Sequence, residues 1–535
     1  MGSRTVVIVV LLSLVVAACD GAEAPQVIEP GPTAAESPSP SGTQQLVVGA
    51  PEDTFVTEGE KANLGMFPIN ANIFETLVLM TPDFQLEPGL ATSWEYRGND
   101  TWRFELREGV TFHDGQPFDA EAAVSSFQRL ATAYGPRLSI GPDSAQAVDD
   151  VTVDVTTTAT NLSLPSQLVH PSIAPMIAPG TDVGTEPVGT GPFRFVEYVP
   201  QERLVVERNP DYWGDQARLE TLTFRFIPDG NTRWLSLRTG DVDLIYDLPR
   251  ELLSEVEQTA GIKAGFEPGE TPAGSSEIML LNRGGTPPYT ILQEQRVRQA
   301  LGHAIDREGI VKEIWADAAE VNDTVTPETL FGEHASIVEG PDYDRSRAEQ
   351  LLDEAGWIPG ADGIRSKDGQ RLQLTMINGY PPIDIRKPMP EIVQAQLRDV
   401  GVEVDIVETP EFGTYSERLD NGEGDIFLER VAQNDATPSF FAAAFFYSQA
   451  SGPYAKWFAA GQDFDSLVEE AQAVEDRDLA KKKSAEAMSI AVDDSAVVIP
   501  VAATYWLFMM KDDVQGFVPH GSARHVRWAS VYRGS

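Results

Sequence analysis

The twenty residues MPEIVQAQLRDVGVEVDIVE (Met389–Glu408) restrict the fold of this chain more than any other stretch. Ile392, Val393 and Leu397 recur at helical spacing, and Val402, Val404 and Ile406 then alternate as a half-buried strand does. Gly401 stands between the two patterns, where a left-handed residue can end a helix without steric cost. Helix, glycine and strand in that order predict an α/β layer. Period-two alternation also predicts strands in WRFELREGVTF (Trp102–Phe112), VTVDV (Val151–Val155), FRFVEY (Phe193–Tyr198), LTFRFI (Leu222–Ile227) and DVDLIY (Asp241–Tyr246). RVRQALGHAIDREGIVKEIW (Arg296–Trp315) predicts a helix with Val297, Ala300, Leu301, Ala304 and Ile305 on one face. Phe464–Ala491 predicts another, carrying Leu467, Val468, Ala471 and Val474. Strand-rich and helix-rich regions are segregated, which favours several α/β or α+β lobes over one barrel.

Length agrees with that. The chain has 535 residues, and beyond about 250–300 residues a single core stops growing, so two or three domains are expected. The first residues are set apart. Val6–Ala18 is uncharged and almost wholly apolar, and Arg4 precedes it. Thirteen residues are too few for a spanning helix, which needs about 20, and they fit the apolar region of a signal peptide. Ala17 and Ala18 are the small residues that cleavage requires, and Cys19, which follows them, is the chain's only cysteine. A lone cysteine can form neither an internal disulfide nor a multi-thiolate metal site. VAAC (Val16–Cys19) resembles the lipobox of bacterial lipoproteins, which implies cleavage after residue 18 and lipidation of Cys19. Acyl chains contribute about 0.8 kcal/mol per buried methylene, so two or more hold a protein durably at a membrane. Asp20–Gln45 has five prolines, no aromatic residue and no Lys or Arg. Such a stretch buries too little surface to offset its ordering entropy and predicts a disordered tether.

Charge and motifs narrow the function. Asp and Glu number 82 against 40 Lys and Arg, a formal net charge of −42. A phosphate backbone is repelled by such a field, which argues against nucleic-acid binding. No Gly-x-Ser-x-Gly elbow, His-Glu-x-x-His pair or phosphate loop ending in Gly-Lys-Ser/Thr occurs. GTGPFR (Gly189–Arg194) begins like a dinucleotide fingerprint but has Arg194 in place of the third glycine, and reads as a tight turn before a strand. His113, His170, His303, His334, His520 and His525 include no i, i+4 pair. His303 reads as a half-buried structural residue of its helix, and nothing in the spacing brings His113, His520 and His525 together. No catalytic residue, metal site or cofactor is expected.

Five blocks then carry a resemblance. LEPGLATSWEYRGNDTWRFELREGVTFHDGQPFDAEAAVSSFQR (Leu86–Arg129), PVGTGPFRFVEYVPQERLVVERNPDYWGD (Pro187–Asp215), RVRQALGHAIDREGIV (Arg296–Val311), QAQLRDVGVEVDI (Gln394–Ile406) and NANIFETLV (Asn70–Val78) are similar, in order, to the extracytoplasmic solute-binding proteins of family 5. These are the peptide-, oligopeptide- and nickel-binding subunits of ABC importers. The resemblance implies an α/β, bilobal periplasmic-binding-protein-like fold with a hinge and an extra third lobe. Its discontinuous main lobe would comprise 46–77, 184–276 and 500–535, the extra lobe 78–183, and the second ligand lobe 277–499, after a signal peptide at 1–18 and a tether at 19–45. It implies a monomeric, lipid-anchored receptor outside the cytoplasm that takes a small molecule or peptide and delivers it to ABC transporter permease subunits. A nickel or metal-chelate receptor of the same family is the alternative within the class, and a secreted hydrolase the alternative outside it.

A peptide brings an ammonium, a carboxylate and a backbone, so its cleft needs a fixed carboxylate, a fixed guanidinium and polar groups. Family members commonly place an acid in a segment resembling Trp-x-x-Asp-x-x-Asp-Pro. The matching stretch is RVAQNDATPSFF (Arg430–Phe441), where Pro438 keeps the frame but Val431, Asn434 and Thr437 replace the aromatic and both acids. Asp435 is the nearest carboxylate and the candidate ammonium partner, with Asn434 beside it. Arg386, in GYPPIDIRKP (Gly379–Pro388), is the candidate carboxylate partner, and Tyr380 a further candidate contact. Asn70 and Asn72 fall where the family's first helix faces the cleft, or serve as caps. Core packing accounts for most of the aromatics of Phe440–Phe458, but Tyr447 and Trp457 have polar handles and are candidates to line a cleft. DYW (Asp211–Trp213) reads as scaffold.

Overall fold

Leu46, Val48 and Ala50 of the strand Gln45–Ala50 are all buried, as a strand covered on its faces requires. It lies between Thr221–Phe226 and Leu244–Tyr246, parallel to both. Arg203–Arg208 and Phe193–Val199 extend the sheet antiparallel on one side, and Phe508–Lys511 and Ile262–Ala264 complete its seven strands on the other. The computed structural model describes residues 44–51, 53, 67–171, 173–249, 252–265, 273–315, 318–379, 386–409, 412–433, 436–450, 452–522 and 525–534. Among these, no helix is long and apolar enough to cross a membrane.

A second sheet has six strands in the order Ala319–Val321, Val498–Thr504, Ser275–Leu281, Ile426–Ala432, Gln373–Asn378 and Glu403–Glu408. Its last two strands run parallel, and the helix Met389–Asp399 joins them. Gly401 has φ +88°, so the helix–glycine–strand unit forms as the pattern predicts. A third, antiparallel sheet orders Ala91–Gly98, Thr101–Leu106, Thr152–Thr156 and Ala145–Asp149, and the helix Ala120–Leu138 packs on it. Asp119 caps that helix by accepting from the Ala122 amide at 2.9 Å. This part has its own core of buried residues between 77 and 178, joined by the buried Leu330 and the partly buried Ala436 from far along the chain.

The chain passes from the seven-stranded to the six-stranded sheet through 265–274 and returns through 505–507. Both described ends of the first link, Gly265 and Gly274, bond to the strands that the second link joins. The Gly265 amide donates to Phe508 O at 2.7 Å, and the Gly274 amide to Thr504 O at 3.3 Å. A Cβ on Gly274 would stand 0.9 Å from Gly521 O, so this crossing tolerates only glycine.

Three expectations are corrected. Arg296–Trp315 is two helices, Gln295–Ala304 and Arg307–Ile314, because Ile305 is extended and Asp306 caps the second by accepting from the Gly309 amide. Phe464–Ala491 likewise divides into Gln462–Ala473 and Arg477–Ser489, with Val474 extended and Asp476 accepting from the amides of Asp478 and Leu479. A side-chain acceptor at such a position satisfies amides that a helix start leaves free. The strand expected over Asp241–Tyr246 begins only at Leu244. Asp243 instead takes the Val47 amide and pairs with Lys511 and Arg533. The strand Gln45–Ala50 also begins one residue inside the stretch expected to be tether.

Candidate functional site

A cavity of about 580 Å³ opens between the four-stranded sheet and the helices beside the six-stranded one. Its first wall is aromatic. Tyr96 and Trp102 lie opposite each other in register on adjacent strands, ring centroids 5.5 Å apart, and the Trp102 indole donates to Asn161 O at 2.9 Å. Its second wall comes from Ala436–Pro438 and from the helices Gln462–Ala473 and Arg477–Ser489, which present Ala471, Arg477 and Lys481. The walls touch where Leu330 enters the core of the small lobe and where the Leu162 amide donates to Gln472 O at 3.1 Å. A cleft of this size, lined by polar and apolar groups alike and by the charges of Asp83, Glu475, Arg477, Asp478 and Lys481, has room for a small ligand.

A buried ion network lies on the six-stranded sheet near the crossings. Glu277, 1% exposed, sits directly opposite Arg430 on the neighbouring strand. Arg386 donates to Glu277 at 3.0 Å and to Gly379 O at 3.1 Å. Arg430 Nε stands 3.6 Å from Glu277, an ion pair too long to be a hydrogen bond. The Arg430 guanidinium lies 4.6 Å from the ring centre of Trp506, on the return crossing, so the network ties sheet to crossing. Burial lowers the pKa of Arg430 against the pull of Glu277. Glu429 accepts from the Tyr454 hydroxyl at 2.8 Å, and burial pushes its carboxyl up to about 7. Carboxylates and guanidiniums held in fixed positions can recognise charged ends of a solute without bond chemistry.

A second buried carboxylate is fully occupied. Glu75 accepts from Tyr212 and Trp213 at 2.8 Å each and from Thr190 at 2.9 Å. Asp211–Trp213 is therefore scaffold, as expected. In GTGPFR, a Cβ on Gly189 or Gly191 would stand 2.1 Å from Ile73 O or 2.4 Å from Asn72 O, so these glycines admit a close backbone approach. His520 and His525 do meet, stacked at 5.1 Å, while His113 is held by the backbone of Gly189 and Gly191. His303 is half-buried and bonded to Asp342 O at 2.8 Å.

The expected ligand contacts disperse. Cys19, Tyr380, Asn434 and Asp435 lie outside the described residues. Asn72 is buried and exchanges hydrogen bonds with Val526 O and the Trp528 amide at 2.8 Å each, so its amide holds the C-terminal segment. Asn70 is buried in the same helix. Arg386 keeps a buried carboxylate partner of its own in Glu277. Trp457, 3% exposed, is a correction: it packs in the core among Phe427, Phe446 and Phe458, and its ring lies against Gly422. Tyr447 is half-buried and donates to Glu469 at 2.7 Å, a contact within the helical layer. Sequence reasoning missed Glu277, Glu429 and Arg430. Their signal is present: SSEIMLL and IFLERVA each set charge inside an apolar strand, and a buried charge requires a partner.

Comparison with known proteins supplies the frame. Residues 85–453 match the family described as bacterial extracellular solute-binding proteins, family 5 Middle. The chain is 29% identical over 376 residues to the nickel-binding periplasmic protein of Escherichia coli (strain K12), covering 66% of this chain and 69% of that one. It is 25% identical over 517 residues to the dipeptide-binding protein of the same organism, covering 89% and 92%. Its fold resembles the crystal structure of NikA from Brucella suis in complex with Fe(III)-EDTA, with a TM-score of 0.79 and 24% identity over 91% of this chain and 99% of that chain. Separately cored lobes beside two crossings, and a family match over most of the length, lead to one conclusion: the chain belongs to the bacterial extracellular solute-binding proteins of family 5.

Proposed function

We propose that this protein is the receptor of an ABC importer, and that it captures a peptide or peptide-like compound between its lobes and delivers it unaltered to the permease. The carrying observation is the join of the seven- and six-stranded sheets, where Gly265 bonds Phe508, Gly274 bonds Thr504 and the buried Glu277, Arg386 and Arg430 stand by Trp506; the cavity of about 580 Å³ lies between the extra lobe and the second ligand lobe. Two links between these sheets, one with its described ends at Gly265 and Gly274 and the other at 505–507, supply a hinge of the kind on which lobes close around ligands. The expected bounds of 46–77 with 184–276 and 500–535 for the main lobe and 277–499 for the second ligand lobe shift at these joins, because Ser275–Leu281 and Val498–Thr504 are strands of the six-stranded sheet: the main lobe is 46–77 with 184–264 and 508–535, the extra lobe 78–183, and the second ligand lobe 275–504. Ligand favours the closed arrangement only through its greater affinity for it. Asp435 and Asn434 immediately precede the cavity wall at Ala436 and are the first candidates to meet an ammonium group. The protein acts as a monomer, performs no catalysis, and is held outside the cytoplasm by a lipid on Cys19. The dipeptide-binding relative, which aligns with 89% of this chain, supports the choice of cargo.

Mass spectrometry of solute co-purified with the gently isolated protein tests this, followed by thermal melting with the compound found. Ligand at 100 times its dissociation constant stabilises by about 2.7 kcal/mol. A co-purified peptide whose addition raises the melting temperature is the expected result. A metal chelate in its place reassigns the cargo, and turnover of peptides above a heat-killed control overturns the receptor reading.

A further inference from the structure

We propose that Glu333, His334 and Asp478 form a binding site for one divalent transition-metal ion, of the Zn2+ or Ni2+ type, in the wall of the second lobe. Their ligand atoms all lie within 4.8 Å of one another. Glu333 and His334 are neighbours on the short helix Gly332–Ile337, and Asp478 belongs to the first turn of Arg477–Ser489, so the donors come from two elements 144 residues apart. No helical or hairpin spacing in the sequence announces such a set.

The donor chemistry is one imidazole and two carboxylates, which suits zinc or nickel better than the all-oxygen shells of calcium and magnesium. His334 Nε2 and Asp478 Oδ1 are 3.1 Å apart. The two atoms are hydrogen-bonded at that distance, and two ligands on one tetrahedral ion at about 2.0–2.1 Å stand roughly 3.3 Å apart, so an ion would replace the shared proton with little movement of this pair. The His334 side chain is only 15% exposed and therefore held, while Asp478 at 71% leaves the ion's remaining positions open to solvent. The Glu333 carboxylate has no ion-pair or hydrogen-bond partner among the described residues, its backbone carbonyl alone accepting from Ser336, although it is placed beside a second carboxylate. An ion between them would offset that repulsion. Lys481, which lines the cavity with Asp478, moderates the local charge when no ion is bound. Asp478 also lines the cavity of about 580 Å³, so the site borders that space while its other two donors, Glu333 and His334, lie outside the cavity lining.

Titration calorimetry of the full chain with ZnCl2 or NiCl2 tests the proposal, in excess Mg2+ so that diffuse binding to a chain of charge −42 is quenched. One ion per chain should bind. His334→Ala should weaken that binding at least about tenfold, the scale on which metal sites respond to lost support. Glu333→Gln and Asp478→Asn should weaken it too, whereas Glu202→Gln, an exposed control, should not. X-ray absorption should show one imidazole in the shell. The exposed Asp478→Asn carries the test if His334→Ala lowers the melting temperature of the ion-free chain. Binding that survives both His334→Ala and Asp478→Asn, or none that persists against Mg2+, overturns the proposal.

Discussion

Replacing Glu277 by Gln removes the nearby carboxylate that two buried guanidiniums face across 3.0 and 3.6 Å, leaving Asp247 as a weaker anionic neighbour of Arg430. At an effective dielectric of about 20, each attraction is worth about 5 kcal/mol. Several kcal/mol of desolvation per charge cancel most of this in the intact protein, so the network adds little net stability. The variant is different, because desolvation remains and attraction does not. A loss of about 3–5 kcal/mol is expected, the usual result of orphaning a buried charge. Arg386→Met should cost less, since it leaves the Glu277–Arg430 pair neutral. Arg194 and Glu207, only 2.7 Å apart but about 40% exposed, provide the contrast: Glu207→Gln should cost less than about 1 kcal/mol. The Glu277→Gln loss should also shrink as pH rises from 6 to 8. Glu277 raises the pKa of Glu429 and Arg386 lowers it, so without Glu277 the carboxyl of Glu429 ionises more readily and partly replaces the lost anion. Urea unfolding followed by tryptophan fluorescence measures all four quantities. Equal losses for Glu277→Gln and Glu207→Gln would refute the reasoning, because separation rather than burial would then set the cost.

Glu429 itself titrates in the folded protein near 7, above its usual 4.5. The native state therefore binds the extra proton, and stability falls as pH rises through that interval; Glu429→Gln should flatten the fall by on the order of 2–3 kcal/mol between pH 5 and 8 in urea unfolding. Asp476→Ala removes the cap that accepts from the Asp478 and Leu479 amides, and should cost about 1 kcal/mol, with faster amide exchange confined to the start of the helix Arg477–Ser489. Cys19→Ser should move the protein from the detergent phase to the aqueous phase in detergent partitioning, and unchanged partitioning would refute the lipid anchor.

The parts legible from sequence are those written in local periodicity, and the parts that were not depend on distance along the chain. Met389–Glu408 needed no partner to be read, because helix stripe, left-handed glycine and strand alternation are all contained in twenty residues. The merged helices failed for a local reason that more attention to capping would have repaired. Asp306 and Asp476 each stand where a side-chain acceptor can start a helix, and an apolar stripe continues through both breaks because the paired helices pack on one core. The ion network is another matter. Glu277 meets Arg430 through a strand register that spans 153 positions, and Arg386 arrives from a third segment. Sequence can state only that a carboxylate within SSEIMLL needs a cation, not which of 40 will provide it. Trp457 shows the same limit from the apolar side. An aromatic with a polar handle reads equally as cleft or core, and what decides it is Gly422, which leaves room for the ring from 35 residues away. Trp102 and Ala436 line one cavity, and Leu330 sits in a core built from residues between 77 and 178; such joins between remote segments are not encoded in the blocks by which the family is read.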